Sequence, residues 1–525
     1  MRRKVISIGA ILCGVMVLLS TGVNARILTV GLDGTSECNN IQTAVDAAVP
    51  DDTILLADGI YTGQGNRGVT INKPLTIRGI RGPERCIIDC EGWTRGFTVQ
   101  LDDPGARIVL EGLTVTGGFL FGTRSNGPIE NGRGGGILLK GRGSAILRNC
   151  VIANNRAIYG DPGLGGGICF LGEWNVYMDR CRVEGNTILG AIGREEMMWN
   201  GPGGWAKGGG IYLQGGSLIL NRCVIIGNLC KGGNAGFCWN FFDRGCENIF
   251  IAGSAIGGAI AVEDNENHGA NVNMRETLII GNRAYEGYDG RFDMAIVTGP
   301  TTGIALSIPD GILSNCTIMD NTIQAKTGST IEAGGTGCII TNSILQDRIF
   351  SGASVQLSYC WIEGDPLFVD RGYWDTKGSP YVEDHVFVPG DYHLKSQAGR
   401  WDAAAGAWVK DAVSSPCIDA GDPADTGWVN ELWPNGRRID IGAYGGTAEA
   451  SLSGHVIGTA ADLNFDDRVD IGDFAIFARG WMRVEPLLAA DLTRDGRVGI
   501  EDLAVMAESW LVDCLETPNH PACIE

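Results

Sequence analysis

A short pattern recurs along the middle of this chain and leaves few folds open to it: a glycine cluster running straight into aliphatic residues. Gly134-Gly-Gly-Ile-Leu-Leu, Gly165-Gly-Gly-Ile-Cys-Phe, Gly208-Gly-Gly-Ile-Tyr-Leu and Gly257-Gly-Ala-Ile-Ala-Val are four copies of it. Each is followed by a second strand-like run: Cys150-Val-Ile, Cys181-Arg-Val, Cys223-Val-Ile and Thr277-Leu-Ile, with Cys316-Thr-Ile and Ser343-Ile-Leu continuing the series. The apolar runs are only three to five residues long, with Gly-rich sequence between them. That is too short for helices, so a helical solenoid is excluded. Short β-branched runs returning at irregular periods above about twenty residues predict a solenoid of stacked strands. The 80 glycines among 525 residues are about twice the ordinary usage, and the repeats account for the excess.

Stacking the rungs produces two columns. One is Cys150, Cys181, Cys223, Thr277, Cys316, Ser343 and Cys360; the other, five residues on, is Asn155, Asn186, Asn228, Asn282 and Asn321. Neighbouring strands lie about 4.8 Å apart, so like residues would sit directly above one another. The Asn column is read as structure: Asn tolerates the left-handed conformation at a turn, and stacked Asn side chains can hydrogen-bond along a ladder. The Cys column is read as small buried groups filling the interior, because one rung is slightly longer than the Cβ separation of about 3.8 Å that a disulfide needs. Cys86–Cys90, Cys238–Cys246 and Cys514–Cys523 are near enough in sequence to be disulfide candidates, but spacing does not fix connectivity.

Residues 1–25 predict a secretory signal peptide: a basic start at Arg2, Arg3 and Lys4, an apolar run from Val5 to Leu19, and a small-residue cleavage pattern ending at Ala25, with Arg26 as the mature start. The run is shorter than the roughly 20 residues of a membrane span, so no span is expected. Leu12 before Cys13 argues against a lipoprotein anchor. A secreted, extracellular or cell-surface protein follows. The net charge of −20 excludes nucleic acid as a partner, because phosphate contacts need clustered Lys and Arg.

The last seventy residues carry one acidic pattern twice, Asp462-Leu-Asn464-Phe-Asp466 to Asp473 and Asp491-Leu-Thr493-Arg-Asp495 to Asp502, with starts 29 residues apart. Each places oxygen side chains at loop positions 1, 3, 5 and 12, the spacing by which a twelve-residue loop wraps one Ca²⁺. The first set is Asp462, Asn464, Asp466, the Arg468 carbonyl, Asp470 and Asp473. The second is Asp491, Thr493, Asp495, the Arg497 carbonyl and Asp502. Val469 and Val498 at position 8 point inward. Each loop runs out into one apolar-periodic segment, Phe474 to Trp481 and Leu503 to Trp510, and no such helix enters either loop.

On these residues the tail resembles a type I dockerin module spanning about 455–513, followed by a tail at 514–525. That family binds two Ca²⁺ ions and docks to cohesin modules, so the resemblance implies a cohesin-like partner. Departures are Thr493 at position 3, Asp467 where Gly is usual, and Ile471/Gly472 with Ile500/Glu501 at the partner-contact positions; they imply a weaker second site and leave the choice of cohesin open. Residues 26–450 resemble the right-handed parallel β-helix superfamily that includes pectate lyases and polygalacturonases. Ile41-Gln-Thr-Ala-Val-Asp-Ala-Ala48, Asp52-Thr-Ile-Leu-Leu and Gly59-Ile-Tyr61 are similar to the cap helix and first rung of secreted members. Gly364-Asp-Pro-Leu-Phe-Val-Asp370, Asp391-Tyr-His-Leu394, Ser415-Pro-Cys-Ile-Asp-Ala-Gly421 and Asp440-Ile-Gly-Ala-Tyr444 are similar to the closing region of bacterial repeat proteins. The expected fold class is all-β, a β-helix solenoid with a small α-helical Ca²⁺-binding domain at its C-terminus.

Insertions follow the Asn turn at 119–133, 187–207, 229–256 and 283–303, and insertions at one phase of a solenoid emerge on one face. They carry Trp199, Trp205, Trp239, Tyr288, Asp289 and Asp293, aromatic platforms beside carboxylates of the kind a sugar site needs. No catalytic residue can be assigned. The triplet motifs of polygalacturonases are missing, Glu263-Asp264-Asn265-Glu266 with Arg275 is the best local match to a lyase-like Ca²⁺ and base cluster, and five His show no triad or zinc spacing. Two function classes stay open: a polysaccharide-binding or polysaccharide-degrading protein, a lyase or glycoside hydrolase, or a non-catalytic surface adhesion protein with the solenoid as spacer.

Overall fold

The computed structural model describes residues 25–122, 132–193, 203–234, 252–264, 269–287, 302–308, 310–324, 327–333, 337–346, 349–351, 355–454 and 458–523. A helix, α1 (Ile41–Ala47), buries Ile41, Ala44 and Val45 near the start; Asn40 caps it by accepting from Thr43 N. Beyond it the chain winds as rungs that contribute to three parallel sheets. In the first, Ile137 lies over Ile168, then Ile211, then Ile260. In the second, Val151, Arg182, Val224, Leu278, Thr317 and Ile344 are in register. In the third, the stack is Arg156, Thr187, Leu229, Arg283 and Thr322. Inward-facing aliphatics, with Phe97, Phe170 and Trp174, form one continuous buried core.

The repeated glycines have a steric cause. A Cβ on Gly135 would lie 2.2 Å from the Gly166 carbonyl oxygen, and one on Gly209 would lie 2.2 Å from that of Gly258. At this bend the rungs touch backbone to backbone, and only glycine fits.

Both corners of each rung turn on a left-handed residue. At the first it is Asn149, Arg180, Arg222, Glu276, Asn315 or Asn342, with φ between 47 and 51°, and the Cys column follows. The thiols of Cys150, Cys181, Cys223 and Cys316 are buried and unbridged, and that of Cys360 is unbridged and half-buried; Cys181 Sγ, for example, donates to the Leu147 carbonyl at 3.4 Å. At the second corner the left-handed residue is Asn154, Gly185, Gly227, Gly281 or Asp320, one position before the Asn column. The expectation that the column residues themselves take the left-handed turn is therefore corrected. They are free to ladder because their neighbours make the turn. Nδ2 of Asn155, Asn186, Asn228 and Asn282 each donates to Oδ1 of the next Asn at 2.9–3.1 Å.

The closing region covers the outer face of the second sheet. Ile226, Leu278, Ile280, Met319 and Ile344 form a second core with Phe368, Tyr392, Leu394, Cys417 and Ile441. Long-range bonds fix it: Ala443 N donates to Thr317 Oγ1 at 3.0 Å and Asp422 N to Asn342 Oδ1 at 2.7 Å. His393 is held between Asp391 (2.6 Å) and Glu449 (3.3 Å) and stacks on Tyr444.

The tail forms helices α2 (Ile471–Gly480) and α3 (Ile500–Glu508). Ala461, Val469, Phe477, Ala490, Val498 and Met506 make its own small core. A disulfide joins Cys514 to Cys523. Cys86 and Cys90 are instead buried free thiols, and Cys238 and Cys246 lie outside the described residues, as do residues 1–24. Among the described residues no helix is long and apolar enough to cross a membrane.

Candidate functional site

The two acidic loops fold alike in their main-chain bonds to the carboxylates. Asp466 N and Asp467 N donate to the two oxygens of Asp462 at 3.1 and 2.9 Å; Asp495 N and Gly496 N donate to those of Asp491 at 3.2 and 2.8 Å. Arg468 N bonds Asp466 Oδ1 at 3.0 Å, and Arg497 N bonds Asp495 Oδ1 at 2.9 Å. At the entrance to each helix a carboxylate folds back over its loop. Asp473 accepts from Asn464 N and Asp470 N, and Asp502 from Thr493 N and Gly499 N. Each loop then zips onto the chain leaving the other loop's helix: Val469 N donates to the Val512 carbonyl and Val498 N to that of Arg483, both at 3.0 Å. Val469 and Val498 are wholly buried. An approximate twofold thus relates the copies.

This folding gathers charge. Ligand oxygens of Asp462, Asp466 and Asp473 lie within 4.8 Å of one another. Among the described residues this is the one group of three or more His, Cys, Asp or Glu gathered so closely. Burial, reinforced by the Asp473 and Asp466 carboxylates, pushes the Asp462 carboxyl up to about 6. Asp491 is raised too, by burial and then by Asp502. Hard oxygen donors gathered this closely are a donor set suited to Ca²⁺. The Arg468 side chain turns away to Asp513 (2.8 Å), which leaves its main chain as the part of that residue able to serve the loop. Asp470 accepts from Gly472 N at 2.7 Å as the α2 N-cap.

The loops differ at position 3. Asn464 accepts from Asp466 N through Oδ1, whereas Thr493 Oγ1 donates to Asp502 Oδ1 at 3.0 Å. Asp502 Oδ1 thus accepts from both the amide and the hydroxyl of Thr493.

Sequence reasoning missed how the loops seat on the closing region. Asp467 takes the left-handed φ of 70° where its counterpart is Gly496, and Arg437 Nη1 meets its carboxylate at 3.0 Å. Arg437 also approaches Asp462 at 3.8 Å. At position 4, Phe465 packs edge-on against Trp428, while Arg494 bonds the Trp433 carbonyl and lies over the Trp408 ring. The signal in the sequence was Asp467 itself, an acid where the loop geometry asks for glycine.

Of the residues read as a sugar site, Trp205 is described: its ring is about half exposed, with Lys207 Nζ 5.4 Å from the ring centre. Trp199, Trp239, Tyr288, Asp289 and Asp293 lie outside the described residues. Of the lyase-like cluster, Asn265 and Glu266 lie outside the described residues, and the other members are engaged elsewhere. Glu263 is paired with Lys207 and bonded by Tyr212 at 2.8 Å, Asp264 accepts from Ala270 N, and Arg275 bonds Glu276.

A family model described as "Right handed beta helix region" matches residues 112–290, and one described as "Disaggregatase related" matches 241–421. Comparison with curated proteins finds no match. Similar solved structures include the pectate lyase Pel9A, 16% identical over 80% of this chain and 97% of that one at a TM-score of 0.36. Another is a pectin methylesterase in complex with a hexasaccharide, 12% identical over 70% and 85% at 0.25. A third is the mannuronan C-5 epimerase AlgE6 A-module of Azotobacter vinelandii, 12% identical over 62% and 94% at 0.20. With its in-register parallel sheets and its matched helix region, the body of this chain is a right-handed parallel β-helix.

Proposed function

We propose that this is an exported polysaccharide-handling β-helix protein that attaches to a partner protein through a two-Ca²⁺, dockerin-like module at its C-terminus. The observation that carries the reading is the convergence of Asp462, Asp466 and Asp473 within 4.8 Å in a loop whose bonds recur in the second copy. Ca²⁺ bound there would balance the gathered carboxylates and fix α2 and α3 in their mutual packing. Apolar residues stand exposed at equivalent places on both halves, Ile471 with Ile500, Trp481 with Trp510 and Met482 with Leu511, a paired surface suited to a cohesin-like partner. For the body, support comes from the exposed Trp205 ring on the insertion-loop side, a platform for a sugar face, and from neighbours whose names include a pectate lyase and pectin methylesterases.

Calorimetric titration of the full chain with Ca²⁺ after EDTA stripping tests the attachment module: two binding events are expected, the tighter one lost in Asp462→Asn. Heat of dilution alone would reject the reading. Polymer retention and product release on acidic and neutral polysaccharides test the body.

A further inference from the structure

Beside the second corner of the rungs, the hairpin of Tyr373–Asp375 and Val386–Val388 stands against the solenoid. Phe387 holds it there, wedged where Cβ atoms on Gly227 or Gly281 would come within 2.8 Å of its side chain. Between hairpin and rungs lies a cavity of about 600 Å³, lined by Arg156, Arg182, Glu184, Trp374, Glu383 and His385 among others.

The charges around it do not cancel locally. Glu184 pairs with Arg182, and Glu383 with Lys231 at 3.0 Å. Asp384 is exposed and held by Ser379 Oγ at 2.7 Å. Arg156 has no carboxylate partner among the described residues. Arg283 meets His385 Nδ1 at 2.9 Å and lies 3.7 Å from the centre of the Trp374 ring. Because His385 Nε2 bonds the Ser379 carbonyl, its ring accepts from Arg283 and supplies no counter-charge. Three donors at this place are buried without an acceptor: Arg156 Nε, Arg283 Nε and Trp374 Nε1. Native proteins keep few buried donors without a partner.

We propose that this cavity binds a small oxyanion, carried by a uronic acid residue of a glycan or free in solution, with the Arg156 guanidinium and the Trp374 indole N–H as its donors. A planar carboxylate matches a guanidinium edge with two parallel bonds. The cavity is wide enough for a sugar ring behind that carboxylate. The site is independent of Ca²⁺ in the acidic loops; its glycan source rests on the polysaccharide reading above.

The test is calorimetric titration of the full chain with a uronic acid monosaccharide, the neutral hexose of the same ring, acetate and sulfate, repeated on Arg156→Gln and Arg156→Lys. Uronate is expected to bind where the hexose does not, at least tenfold more weakly in Arg156→Gln and with partial recovery in Arg156→Lys, while the melting temperature stays put because Arg156 Nε has no bond to lose. Acetate or sulfate binding as tightly as uronate supports the site and assigns it to free anions. Retention of the monosaccharide without retention of any acidic polymer supports the site and counts against the polysaccharide reading. No binding by any of the anions, or binding unchanged in Arg156→Gln, overturns the proposal.

Discussion

The Asn ladder and the acidic loops both bury polar side chains on a repeated register, and they solve the resulting problem in opposite ways. Asn228 gives Nδ2 to Asn282 and to the Val183 carbonyl while its Oδ1 takes Asn186 N and Nδ2. Donors and acceptors balance, so the column closes on itself and needs nothing further. In the first loop the acceptors outnumber the donors, and the surplus is negative charge concentrated at Asp462, Asp466 and Asp473. The balanced column is scaffold; the surplus in the loop is what the proposed Ca²⁺ would neutralise.

The contrast breaks most visibly by mutation in the ladder. Asn228→Ala strands the Val183 carbonyl and two Asn186 donors, and should cost about 4 kcal/mol, equally in EDTA and in Ca²⁺, measured by chemical denaturation of the body. Asp462→Asn should behave differently. In Ca²⁺ at a hundredfold excess over the dissociation constant it should lose about 3 kcal/mol of tail stability, and in EDTA it should be neutral or stabilising because buried like charge is removed. Next in size, Arg437→Ala should free the tail from the closing region, read as faster protease cleavage after residue 450 with Ca²⁺ binding retained. Smaller still, Thr493→Asn restores to the second loop the amide of the first and should tighten its Ca²⁺ site several-fold, about 1 kcal/mol, measured by titration.

Stability of the closing region should also depend on pH. Burial opposes the charged His393 ring, but its bonds to Asp391 and Glu449 outweigh this and raise its pKa. That contribution is complete below the ordinary imidazole value near 6.5 and is lost as pH rises through the raised one. Burial pushes Glu431 up to about 8, so its contribution is complete below the ordinary carboxyl value and is lost between there and pH 8. Both slopes run the same way: the closing region should melt lower with each step from pH 5 to pH 8.5, and Glu431→Gln should flatten the trend.

The rungs were legible because their chemistry is periodic. Gly135, Gly166 and Gly209 meet the next rung's backbone, and the Asn residues meet one another, so the constraint that shapes each residue is copied into the sequence at each turn. The acidic loops were legible for the same reason, as a duplicated spacing. What stayed hidden was made by contacts without a period. Asn315 reaches the Asp440 carbonyl 125 residues away, Arg437 reaches Asp467, and the closing hairpin brings Trp374 and His385 to Arg283.

On this reading the tail loops are an open charge set completed by Ca²⁺ while the ladder is a closed one. Thermal unfolding by calorimetry of the wild type, Asn228→Ala and Asp462→Asn, each in EDTA and in excess Ca²⁺, tests it directly. Ca²⁺ is expected to raise a tail transition in the wild type and in Asn228→Ala but much less in Asp462→Asn, and the body transition is expected to ignore Ca²⁺ throughout. A tail transition indifferent to Ca²⁺ in the wild type, or one raised equally in Asp462→Asn, would contradict it.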